Sequence, residues 1–302
     1  MKSYLALAWK ELKAQKITAI LILVAVIMST IMTTVIGQSI GILQSMRIQQ
    51  AAGLNGNRYA TFHQLGKEQA QKLHEDDRLY DVGDTIFIGS TPLGNSSLSL
   101  YLREYHDNAL SMYPAIGNVK EGRLPEEAIE IALSEDALQY LGLDAVIGDT
   151  VSLDLSVSVM DGSLSELEYS ADFVLTGILE SSYIGYASGT VEGIVGEGTA
   201  EELLPEEYLL YSTDFKTYDK QNFQSIIYAL AEDLNVDERY IQYNWVLLDA
   251  IGISYDEAAD SDTGTGFSFM TAACILVGVL VLLAAGPVSY THLRAHETRG
   301  NL

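Results

Sequence analysis

VSLDLSVSV (Val151–Val159) is the stretch on which the fold turns. Val151, Leu153, Leu155, Val157 and Val159 alternate without a miss with serine and aspartate. Successive side chains of a strand point to opposite faces, so the pattern predicts a strand with one dry face and one wet face. Asp161-Gly162 follows, a pair suited to a tight hairpin turn because glycine adopts positive φ without strain. Leu167, Tyr169, Ala171, Phe173 and Leu175 keep the same period on the return. The expected unit is an antiparallel hairpin that buries one side.

Just upstream lies EIALSEDALQYLGL (Glu130–Leu143). Glu130–Leu133 reads as a short strand. Ser134 then suits a helix N-cap, Glu135 and Asp136 fall in the first turn where the helix dipole favours acids, and Gly142 suits the stop. Downstream, YLLYS (Tyr208–Ser212) reads as a strand, and Lys220–Leu234 as a helix burying Phe223, Ile226, Ile227, Leu230 and Leu234. YIQYNWVLL (Tyr240–Leu248) reads as a strand with Ile241, Tyr243, Trp245 and Leu247 on one side, which completes a βαβ-type unit. Nearer the N-terminus, Gln64–Asp77 reads as a polar helix and Tyr80–Gly89 as a strand with a turn. Asp256–Gly266, DEAADSDTGTG, reads as a polar stalk.

The chain has 302 residues, a formal charge of −24 and a slightly positive mean hydropathy of +0.14. So acidic a chain with so high a hydropathy must segregate its apolar and charged residues, and it does. No charged side chain occurs from Ile17 to Met46, or from Thr263 to Leu293. Between Arg47 and Asp262 lie 39 of the 41 acids and 11 of the 17 bases, a net −28 that repels nucleic acid and anionic bilayer surfaces. ITAILILVAVIMSTIMTTVIG (Ile17–Gly37) and FSFMTAACILVGVLVLLAAG (Phe267–Gly286) each supply the roughly twenty apolar residues that cross a ~30 Å hydrocarbon core. Threonine and serine within them can bond back to the helix. Lys2, Lys10, Lys13 and Lys16 precede the first run with only Glu11 opposing, which places the N-terminus in the cytoplasm and the acidic segment outside. The apolar core is too long for a cleaved signal peptide and no clean A-x-A site follows it. Leu5, Trp9 and Leu12 recur at i, i+4 and i+7, with Lys10 and Lys13 facing elsewhere, so residues 1–16 read as an amphipathic helix at the lipid interface.

The expected organisation is therefore an interfacial helix (1–16), a transmembrane helix (17–40), an α+β extracytoplasmic domain (41–262) and a second transmembrane helix (265–286). The fold class is a two-span membrane protein with the α+β domain between the spans. The lone cysteine, Cys274, falls in the second apolar run, so no disulfide forms within the chain.

Sites of chemistry are sparse. No G-x-x-x-x-G-K-[ST] occurs, so the chain has no P-loop for ATP. His74-Glu75-Asp76-Asp77 lacks the second histidine of a zinc-protease helix and reads as a solvated helix end. Asp260–Gly264 lacks the distal glutamate of a calcium loop, and Gly193–Gly198 is not a dinucleotide fingerprint. No catalytic arrangement of Ser, His and Asp or of Cys and His is recognisable, and no cofactor or metal site is expected.

GRLPEEAIEIALSEDALQYLGLDAVIGDTVSLDL (Gly122–Leu155) followed by ADFVLTGIL (Ala171–Leu179) resembles the extracytoplasmic core domain of MacB/FtsX-like ABC transporter permeases. The residues that carry the resemblance are Gly122, Arg123, Pro125, Glu130, Ile131, Ser134, Leu141, Gly142, Gly148, Asp149, Gly177 and Ile178. Where the family strand has Val-x-Gly, this chain has Val174-Leu175-Thr176-Gly177. Their roles are structural: proline fixes φ, and the glycines permit turns. The order of amphipathic helix, span, outer domain and span also fits, over about residues 1–286.

The resemblance implies a permease subunit in the bacterial cytoplasmic membrane. Such a subunit works with a cytoplasmic ABC ATPase and a second permease copy or paralogue, and couples ATP hydrolysis to motion of the outer domain, for export or for cell-envelope regulation. The coupling surface would then be Leu5 and Trp9. Family permeases carry three further spans, and this chain shows one run after the domain. Val288–Thr298, VSYTHLRAHET, reads instead like a translated library adaptor over eleven consecutive residues, so 288–302 is expected to be a non-native tail on an N-terminal fragment. His292 and His296 at i, i+4 then carry no metal site. The alternative is a two-span membrane sensor or anchored ligand-binding module that lacks its C-terminal signalling domain.

Overall fold

The structure, a computed structural model, describes residues 16–94, 96–161, 163–181 and 189–255 with Leu276. For some residues of 17–36, and for 160, 161, 163 and 164, it describes the backbone alone. The interfacial helix with Leu5 and Trp9, Gly162 of the hairpin turn, the stalk, the second apolar run apart from Leu276, and the tail all lie outside the described residues. The chain divides into two compact units, Met1–Arg47 with Thr265–Leu302, and Ile48–Gly264.

Helix α1, Lys16–Asn55, is unbroken over 40 residues. Two of its hydroxyls turn back onto its own carbonyls, Thr34 to Thr30 at 2.9 Å and Ser39 to Val35 at 2.8 Å, and so are paired within the helix. Ile20, Leu23, Val24, Ile27, Met28 and Ile31 are all exposed, an apolar surface of a kind that water alone does not favour. Among the described residues no helix is long and apolar enough to cross a membrane; eleven side chains of the first apolar run fall outside that set.

Among the described residues the second unit is α+β and holds ten strands. They are β1 (Ala60–Leu65), β2 (Leu79–Pro92), β3 (Ser99–Tyr105), β4 (Val119–Gly122), β5 (Glu130–Ser134), β6 (Thr150–Asp161), β7 (Ser163–Leu179), β8 (Thr190–Val195), β9 (Tyr211–Thr217) and β10 (Ile241–Tyr243). Their order is β10-β1-β9-β2-β3-β8-β5-β7-β4, and β6 pairs with β7 and touches β2. Most pairs are antiparallel; β3 with β8 and β5 with β7 are parallel.

The β6–β7 hairpin keeps one register from Thr150↔Val174 to Asp161↔Ser163. Val151, Leu153, Leu155 and Val157 are buried as their period requires, and so are Ala171, Phe173 and Leu175 opposite. Among the described residues the short helices are α2 (Lys67–His74), α3 (Glu135–Leu141), α4 (Thr199–Leu203), α5 (Phe223–Leu234) and α6 (Trp245–Ile251). Ser134 caps α3 by accepting from Ala137 N–H at 3.2 Å, and Gly142 ends it at φ 72°. Ala70 and Leu73 of α2 and Phe223, Ile227, Leu230 and Leu234 of α5 enter one core with Phe62 and Phe215, whose rings meet edge to face at 5.2 Å. Each fully buried phenylalanine contributes roughly 1.5–3 kcal/mol.

Three expectations are corrected. The polar helix covers only Lys67–His74, because Gln64 and Leu65 close β1, with Gln64 at φ 56°. The strand read at Tyr208–Ser212 starts at Tyr211 and runs to Thr217; Glu206–Tyr208 is a single 3-10 turn. The strand read through Leu248 stops at Tyr243, and Trp245, expected inside, is 57% exposed. Asn244 makes that break. Its side-chain oxygen accepts from Leu247 N–H to start α6, while its amide donates to the carbonyls of Gly56 and Arg58 at 2.8 and 2.9 Å. The βαβ-type unit is present in split form, with β1 lying between β9 and β10.

Candidate functional site

The strands that give the sheet its apolar face also give it a polar one, since alternate residues must point the other way. On β1, Thr61 and His63 oppose Phe62; on β9, Ser212 and Asp214 oppose Phe215. Thr85 on β2, Arg103 on β3, Glu192 on β8 and Gln242 on β10 join the same cavity, of about 520 Å³. That volume lies within the ~300–1,000 Å³ of small-molecule sites. Gly83, paired with Asp214 across β2 and β9, permits the covering of this face. A Cβ at Gly83 would lie 2.3 Å from Ala109 N, so only glycine lets the turn at Leu110–Met112 settle there. Tyr113 follows that turn and reaches in.

Asp214 is 1% exposed and has two hydrogen-bond donors and one ion-pair partner. Thr61 Oγ1 donates at 2.5 Å and Arg58 Nε lies at 2.9 Å from one oxygen; the Tyr113 hydroxyl donates at 2.7 Å to the other. Burial pushes the Asp214 carboxyl up, and Arg58, Thr61 and Tyr113 pull it back. Burial likewise raises the Tyr113 hydroxyl, with the Asp214 charge adding to it, so Tyr113 stays a donor. His63, bonded to Ser212 and Gln242, is held below its ordinary value chiefly by burial. A second pair joins Arg103 Nη1 to Glu192 at 2.9 Å, and burial raises Glu192 against the pull of Arg103.

Among the described residues, four polar atoms of cavity-lining side chains are buried and have no hydrogen-bond partner: Arg58 Nη1, Thr85 Oγ1, the Tyr105 hydroxyl and Glu192 Oε2. Each such atom costs about 1–3 kcal/mol. A molecule that accepts from Arg58 and donates to Glu192 would recover part of that cost. None of these residues stood out in the sequence. Arg58 and Asp214 are too far apart along the chain for spacing to link them.

The family-motif residues gather elsewhere, around β5 and β7. Gly122, at φ 79°, ends β4, and Arg123 N–H donates to the Thr176 carbonyl at 3.0 Å. The Arg123 guanidinium grips Glu130 with two bonds, at 2.8 and 2.5 Å, and Glu130 also accepts from the N–H groups of Glu126 and Glu127 on the loop that carries Pro125. Arg123 and those amides hold the Glu130 carboxyl down at about 2. Gly177 lies against the Arg123 carbonyl. Gly148, at φ 96°, donates to Leu175 O at 2.8 Å, and Asp149 Oδ2 accepts from Val146 N–H at 3.0 Å. Of these motif residues, Ser134 alone also lines the cavity.

No family model matches the chain, and no curated protein matches it significantly. Among solved structures it is similar to the extracellular domain of the noncanonic ABC-type transporter YknZ from Gram-positive bacteria, at 12% identity and a TM-score of 0.41, covering 62% of this chain and 99% of that one. It is also similar to the periplasmic region of MacB from Actinobacillus actinomycetemcomitans, at 15% identity and a TM-score of 0.41, covering 67% and 95%. Similarity this distant carries no functional weight by itself.

Proposed function

We propose that the chain is the N-terminal part of the permease subunit of an FtsX/MacB-like ABC transporter, spanning the bacterial cytoplasmic membrane on either side of its α+β domain. The observation that supports this best is α1: one unbroken helix, without a charge from Ile17 to Met46, whose end supplies Ala51 to the core of the domain. Forty helical residues measure about 60 Å, twice a hydrocarbon core. A partner ATPase would push on the Lys2–Lys16 segment through Leu5 and Trp9, and the domain would pass the motion to export or to cell-envelope regulation. The partners are that ATPase, a second permease copy or paralogue, and membrane lipid.

The test is topology together with partnership. Asp161→Cys in a Cys274→Ser background should react with a membrane-impermeant maleimide on intact spheroplasts, and the full native protein should co-purify with an ABC ATPase. Labelling only after lysis ends the proposal. The polar cavity favours a second reading, a membrane-anchored ligand-binding module or sensor; protein that labels from outside yet never retains an ATPase selects it.

A further inference from the structure

His74, the last residue of α2, faces two carboxylates brought from other elements. Its Nε2 lies 3.0 Å from Asp84 Oδ2 on β2 and 3.8 Å from Asp107 Oδ2 in the turn after β3. One ligand atom from each of the three lies within 4.8 Å of the others. These separations put a common centre about 2.4 Å from each atom at most, close to the ~2.0–2.2 Å of zinc–nitrogen and zinc–oxygen bonds.

The supports are already in place. Asp84 is buried, and its other oxygen accepts from Thr213 Oγ1 on β9 at 2.6 Å, which fixes the carboxylate plane. His106 N–H donates to the Asp84 carbonyl at 2.9 Å and ties the turn that carries Asp107 to β2. None of the three ligand residues lines the polar cavity.

We propose that His74, Asp84 and Asp107 form a binding site for a divalent transition-metal cation. One imidazole and two carboxylates offset a double positive charge and suit Zn²⁺ or Mn²⁺ better than an all-oxygen cation such as Mg²⁺. Three protein ligands leave positions open for water or another molecule. The site would clip the end of α2 to the sheet. Without a cation the same contact is a hydrogen bond between His74 Nε2 and Asp84 Oδ2.

The test uses the full chain in detergent with His292→Ala and His296→Ala, which removes the tail pair as a rival ligand. Zn²⁺ and Mn²⁺ are titrated calorimetrically, with Mg²⁺ as control. The expected result is one saturable site per chain and a rise in Tm on binding. Asp107→Asn, at an exposed position that tolerates the change, should weaken affinity about tenfold or more and abolish the Tm rise. His74→Gln should do the same. Absence of a one-to-one site for both Zn²⁺ and Mn²⁺ overturns the proposal, as does undiminished binding in Asp107→Asn with its fold intact.

Discussion

Gly177→Ala sets one methyl group against a backbone wall. The added Cβ would lie 2.2 Å from the Arg123 carbonyl oxygen and 3.1 Å from its carbon. Even close carbon–oxygen contacts in folded proteins sit at about 3.3–3.6 Å, so Gly122 and Arg123 must retreat from β7 by roughly 1 Å. That movement loosens the Gly122↔Gly177 pairing and stretches the 3.0 Å bond from Arg123 N–H to Thr176. Overpacking costs about 1–3 kcal/mol and a lost hydrogen bond about 0.5–1.5 kcal/mol, so the expected loss is about 2–4 kcal/mol. For a domain of this size that lowers Tm by roughly 5–15 °C. Gly142→Ala is the control. Nothing lies within 4 Å of its would-be Cβ, and only its φ of 72° is unfavourable, so about 1 kcal/mol and roughly 2–4 °C are expected. Thermal unfolding of the full chain in detergent, followed by near-UV circular dichroism, reads both. If Gly177→Ala melts at or above Gly142→Ala, the close approach of Arg123 to β7 is not what holds this junction.

Two further outcomes follow from the ion pairs. Asp214→Ala leaves Arg58 buried without its carboxylate and should cost about 3–5 kcal/mol; adding Arg58→Met should return part of it, and strict additivity in that double-mutant cycle counts against the pair. Glu130 has a folded pKa of about 2, below the ordinary ~4.3 of a glutamate. Its contribution is therefore complete above the unfolded pKa and is lost as pH falls toward 2. Wild type should melt above Glu130→Gln at pH 7, and the gap should narrow by pH 3; a gap that stays constant or widens refutes the role given to the Arg123 clasp.

Some of this protein was legible from residue order alone. The β6–β7 hairpin is local, and a period of two over VSLDLSVSV states both its strand character and its buried face. Helix α3 carries its own start and stop in Ser134 and Gly142, and the uncharged run from Ile17 marks α1. The misreading at Tyr240–Leu248 has a local cause as well: Leu247 satisfies both the strand period and the helix that Asn244 starts, and only the bonds from Asn244 to Gly56 and Arg58 decide between them.

The polar cavity was illegible for a deeper reason. Periodicity reports which way a side chain points within its strand, not which strand lies alongside. Thr61, Arg58 and Asp214 come together only when β1 and β9 pair and Tyr113 closes over them, because a buried polar group is tolerated only with partners supplied from elsewhere in the chain. The same holds for His74, which looked like the end of a polar helix until Asp84 and Asp107 stood beside it. Local pattern determined the elements and their apolar faces. The order of strands, a matter of long-range pairing among many near-equivalent choices, decided where charge is buried and so where chemistry is possible.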